Sequence, residues 1–100
     1  MNQMQQMLAN AQRMQRALAK AHAELDAKEF PVSKNGMVEL VVLGNRTIKS
    51  LTIDEDALDR ENKEMLEETI ALALNEALEK IAAANEEIEQ KITGKSGMLF

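Results

Sequence analysis

Along residues 1–27 the apolar positions Met4, Met7, Ala11, Met14, Leu18, Ala21 and Leu25 recur at alternating steps of three and four. Side chains at those spacings stack on one side of an α-helix, so the pattern predicts a helix with a single apolar seam. The interior of this segment has no glycine or proline and is rich in Ala, Gln, Leu, Met and Arg, which helices accept at little cost. Pro31 closes it, because proline disfavours helical backbone in the residue before it.

The period then changes. Residues 30–53 read as a small antiparallel sheet of three strands. Phe30–Ser33 suits an edge strand, where the N–H that Pro31 lacks has no partner to miss. Lys34–Asn35–Gly36 is a turn signal, and Met37–Leu43 follows as a strand rich in β-branched residues. Gly44–Asn45 offers two residues that tolerate positive φ, as a tight hairpin requires, and Arg46–Ile53 returns. On the middle strand Val38, Leu40 and Val42 point one way and Met37, Val41 and Leu43 the other, broken only by Glu39, so both faces ask for cover.

After an acidic connection in which Asp54, Asp56, Asp59 and Asn62 are suited to turns and caps, residues 61–92 resume the helical period. Leu66, Ile70, Ala73, Leu74, Ala77, Leu78, Ile81, Ala84, Ile88 and Ile92 form a broad stripe. Glu76–Lys80 and Glu87–Lys91 stand four apart in the favourable order. Gly94 is a natural stop, and residues 93–100 read as a loose tail. The fold class is therefore α+β, one domain in the order α-β-β-β-α.

The lengths raise a problem of cover. At 1.5 Å per residue the first helix spans roughly 37 Å and the second roughly 46 Å, against a diameter of roughly 34 Å for a compact domain of this size. One small sheet cannot shelter a stripe that long together with a two-faced hairpin. A second copy can, through a two-fold interface. Val38, Leu40 and Val42 on the hairpin and Leu74, Leu78 and Ile81 on the second helix are the candidate dimer contacts.

Composition refines this picture. There is no cysteine, hence no disulfide framework or thiolate site, as suits a reducing compartment. The N-terminus lacks the basic start and apolar run of a signal peptide, and no apolar run reaches membrane-spanning length, so a cytoplasmic protein without a membrane partner is expected. Phe30 and Phe100 are the only aromatics, which argues against base stacking on single strands. The net charge of −5 is unevenly spread. Residues 1–23 carry Arg13, Arg16 and Lys20 and no acid, whereas residues 54–92 carry thirteen acids and four bases. The basic residues fall within about 60° of one another on a helical wheel, with Gln6 on the same strip and the apolar seam opposite. Such a strip fits phosphates, and a dimer presents it twice. Lys34, Arg46 and Lys49, near the strand ends, are secondary candidates.

Other chemistry lacks parts. Thr93–Gly94–Lys95–Ser96 is the end of a phosphate-binding loop, but the earlier glycine that loop needs falls at Glu89. Asp54, Asp56 and Asp59 lack the central glycine and closing glutamate of a calcium loop. His22 is the single histidine and has no nucleophile or metal-ligand set around it. No catalytic residue, metal, cofactor or small-molecule substrate is expected, and the chain does not read as an enzyme.

The succession "NAQRMQ", "NGMVELVVLGNRTIKSLTID", "KEMLEETIALALNEALEKI" and "SGM" resembles the YbaB/EbfC family of bacterial nucleoid-associated proteins over almost the whole chain. The resemblance implies a tweezer-shaped homodimer of α-β-β-β-α protomers in the nucleoid that binds double-stranded DNA with little sequence preference. The alternative is a protein-interaction module that docks partners through its helices, without a nucleic-acid role.

Overall fold

The computed structural model describes residues 2–97. Helix α1 (Gln3–Ala27) leads into strands β1 (Glu29–Lys34), β2 (Val38–Leu43) and β3 (Ile48–Ile53), and two short 3-10 turns precede helix α2 (Lys63–Gly97). The sheet is antiparallel with β2 in the middle. This is the α-β-β-β-α arrangement that the change of period predicted.

Local chemistry sets most boundaries. The Asn2 side chain accepts the Gln5 N–H at 2.8 Å while the Gln5 side chain accepts the Asn2 N–H at 3.4 Å, a reciprocal cap that satisfies two of the donors every helix start leaves unpaired. Between β1 and β2, Asn35 (φ 55°) and Gly36 (φ 65°) both adopt left-handed backbone, as a two-residue turn matched to strand twist requires. The second turn departs from the expected one. There the left-handed residue is Arg46 (φ 69°), not Gly44 or Asn45. Arg46 N–H and Leu43 N–H bond to Leu43 O and Thr47 O, and the Asn45 side chain accepts the Thr47 N–H at 2.9 Å. Arg46 and Thr47 are thus consumed by the turn, and β3 starts only at Ile48.

Gly44 is required for a different reason. A Cβ there would lie 1.7 Å from the Leu25 carbonyl oxygen. The Gly44 N–H donates to Lys28 O at 2.9 Å and the Asn45 N–H to Asp26 O at 3.3 Å, so the hairpin tip partners carbonyls at the end of α1 that would otherwise be orphaned. Backbone therefore docks on backbone, and α1 is held at its C-terminal end.

The sheet buries one face against α2. Phe30, Val32, Val38, Leu40 and Val42 meet Ala73, Ala77 and Ile81, with Leu25 of α1 closing one end. Ala73 and Ala77 are fully buried; small side chains at that spacing let the helix lie close to the strands. Thr69, also buried, receives a hydrogen bond from the Asn35 side chain at 3.3 Å, which ties the first turn to α2. On the other sheet face Val41 and Leu43 are half-buried and Glu39 is exposed.

Two expectations change. Glu76 bonds Lys34 on β1 at 2.9 Å, a tertiary partner that displaces the expected Lys80, whereas the Glu87–Lys91 pair forms at 3.5 Å. Helix α2 also runs past the expected stop at Gly94 to Gly97; a glycine inside a helix costs only about 1 kcal/mol, and the Thr93 hydroxyl donates to Glu89 O one turn back. The remainder of the expected tail, residues 98–100, lies outside the described residues, as does Met1.

The described chain is long and thin, 71 × 22 × 14 Å, with a radius of gyration of 19.9 Å where a compact chain of this length has about 13 Å. Met4, Met7 and Leu8 are 71%, 68% and 59% exposed. The apolar seam of α1 is thus covered only toward its C-terminal end, where Ala21 and Leu25 line a groove with Ala84 and Ile88 of α2.

A candidate nucleic-acid interface on the first helix

Helix α1 carries Gln6, Arg13, Arg16 and Lys20 on one exposed strip. Among the described residues the ion pairs are Lys34–Glu76, Lys49–Glu29, Lys63–Glu67 and Lys91–Glu87. None engages Arg13, Arg16 or Lys20. The reason lies in the sequence, since residues 1–23 contain no acid. The cations of this strip are therefore free of ion pairs among the described residues, and three long side chains along one helix face can follow a line of phosphates.

The secondary candidates are arranged differently. Lys34 is half-buried and bonded to Glu76, whose carboxyl is held below its ordinary pKa chiefly by that hydrogen bond. Lys49 reaches across the open sheet face to Glu29 at 2.7 Å. Both cations are partly neutralised. Arg46 is exposed at the hairpin tip and is not among the ion pairs. One nearby cation escaped the sequence reading: Lys28, just past α1, lies with its ammonium 5.4 Å from the centre of the Phe30 ring. Residues two apart in extended chain share a side, so the Lys-Glu-Phe spacing was the available signal.

The candidate dimer contacts divide. Val38, Leu40, Val42 and Ile81 are at most 2% exposed and belong to the protomer's own core, whereas Leu74 and Leu78 are only partly covered. The uncovered apolar surface beside them lies on β3, where Ile48 is 49% and Leu51 45% exposed.

No helix among the described residues is long and apolar enough to cross a membrane. The chain is similar to a nucleoid-associated protein of Mycoplasmopsis pulmonis, 42% identical over 87 residues that make up 87% of this chain and 86% of that protein. It is also similar to nucleoid-associated proteins of Enterococcus faecalis (39% identical, covering 93% of this chain and 90% of that one) and Ruminiclostridium cellulolyticum (39%, covering 96% and 84%). The model of the YbaB/EbfC DNA-binding family matches residues 1–96, which takes in both helices and the whole sheet. The chain belongs to the YbaB/EbfC DNA-binding family.

Proposed function

We propose that this protein acts as a homodimer that binds double-stranded DNA at the nucleoid largely without sequence preference, through phosphate contacts from the Gln6, Arg13, Arg16 and Lys20 strip. The observation that carries this reading is the absence of any carboxylate partner for those three cations among the described residues, in a chain whose net charge is −5. Such a chain gains phosphate affinity only where bases are segregated from acids, and α1 is that place. No cluster of side chains suited to reading base edges accompanies the strip, so backbone attraction dominates.

Salt titration on random-sequence duplex DNA tests it. Binding should weaken as salt rises, with a log–log slope of about −5 if all six cations of a dimer meet phosphate. The Arg13→Ala, Arg16→Ala, Lys20→Ala variant should lose most of that slope while keeping its circular-dichroism spectrum. No duplex binding at low salt would refute the proposal and favour the second reading, a module docking proteins through its helices, which the exposed Met4, Met7 and Leu8 support.

A further inference from the structure

We propose that Asn35 is a site of spontaneous modification, where the side-chain amide closes onto the Gly36 nitrogen and the residue converts to aspartate or isoaspartate at a rate restrained by its hydrogen bond to Thr69.

Seven asparagines occur in the chain, and only Asn35 is followed by glycine. That order suits the turn, because left-handed backbone at two successive residues favours Asn-Gly. It is also the order in which an asparagine is chemically least protected. A side chain on the following residue shields the backbone nitrogen of that residue. Gly36 has none, and a Cβ built there would meet nothing within 4 Å. Asn35 and Gly36 are both exposed to water. The bond that closes the turn runs from the Met37 N–H to Lys34 O at 2.9 Å, and among the described residues the Gly36 N–H makes no backbone bond in the turn.

The chemistry needs no oxidant and no cofactor. The Gly36 nitrogen gives up its proton and attacks Cγ of Asn35. A C–N bond forms, the side-chain amide leaves as ammonia, and a succinimide ring remains. Water then opens the ring at either carbonyl. Opening at Cγ leaves aspartate; opening at the main-chain carbonyl leaves isoaspartate, whose backbone runs through the former side chain and is one carbon longer. The balance is one water consumed and one ammonia released.

The fold holds this reaction back. The Asn35 amide donates to the Thr69 hydroxyl at 3.3 Å, and Thr69, on α2, is the buried polar residue of the described core. For the ring to close, the amide must leave Thr69 and swing back over its own peptide. A neutral hydrogen bond lowers the population of such an open side chain by about fivefold, so the bond slows the reaction without abolishing it. Departure also strips a buried hydroxyl of its partner, in a molecule where no buried side-chain polar atom among the described residues lacks one.

The damage falls on the clamp between sheet and α2. Lys34, the neighbouring residue, bonds Glu76 of α2 at 2.9 Å, so this turn grips the helix through two adjacent side chains. Isoaspartate lengthens the link between strands that pair Lys34 with Val38 and draws into the backbone the carbon whose amide reached Thr69.

Peptide mapping by mass spectrometry of the full chain, aged at neutral pH, tests the proposal. Asn35 should convert faster than the other six asparagines, with isoaspartate among the products. Thr69→Val removes the acceptor at nearly constant volume and should speed conversion at Asn35 about fivefold, leaving Asn45 and Asn75 unchanged. Thr69→Ser keeps the hydroxyl and should match the native chain. Conversion at Asn35 no faster than at the other asparagines overturns the site. A Thr69→Val chain with a native circular-dichroism spectrum that converts no faster than the native chain overturns the restraint. Should Thr69→Val fail to fold, the native chain aged with and without urea decides: Asn35 should convert several-fold faster when unfolded, and equal rates overturn the restraint.

Discussion

The two helices are written in the same amphipathic code and used in opposite ways. Helix α2 spends its stripe inside the protomer, laying Ala73, Ala77 and Ile81 on the sheet until each is at most 1% exposed. Helix α1 is fastened by its last turn, where Leu25 enters the core and the hairpin tip meets its backbone, while Met4 and Met7 stay largely exposed. Burial of apolar surface is the main force holding a chain together. The N-terminal part of the α1 seam contributes little of it. The basic strip lies on the same helix, exposed on the side away from the seam, and the proposed DNA contacts rest on it.

That contrast can be broken, most sharply by core truncation. Leu40→Ala removes a large buried side chain facing α2 and should cost about 3–4 kcal/mol in denaturant unfolding at fixed protein concentration. Next comes the fastening of α1. Gly44→Ala forces a methyl group into the Leu25 carbonyl, where neither backbone can yield cheaply, and should cost about 3 kcal/mol. Hydrogen exchange should then show α1 opening before α2. Leu8→Ala, by contrast, should change stability by less than about 0.5 kcal/mol. A larger value means that this exposed N-terminal part of α1 is covered by another copy.

The smallest effect concerns Lys34–Glu76, a link from β1 to α2. The Glu76 carboxyl is held below its ordinary pKa by its hydrogen bond to Lys34. A carboxyl whose native pKa is depressed stabilises the fold above its unfolded pKa and loses that contribution as pH falls through the native one. Glu76→Gln should therefore be slightly less stable than the native chain at neutral pH and converge with it in acid. Urea titrations at stepped pH check this; a gap that stays constant into strong acid would show that the pair contributes nothing through charge.

Much of the architecture was legible in one dimension because periodicity is a local property. Steps of three and four in residues 1–27 and again beyond Asn62, with alternating and β-branched residues between, suffice for α-β-β-β-α. The basic strip was legible too, since a helical wheel needs only sequence separation. Contacts between distant residues were not. Glu76 chose Lys34 over Lys80 because β1 places an ammonium against α2, and Gly44 is dictated by a carbonyl nineteen residues earlier.

The sequence by itself determined which segments are helices and strands, where the cations cluster and that apolar surface exceeds what a compact chain of this length can hide. Only the tertiary structure decided how that surface is divided: Val38, Leu40 and Val42 inside, Ile48 and Leu51 outside. The physical reason is that α2 is about 10 Å wide and lies over β1 and β2, leaving the edge strand bare.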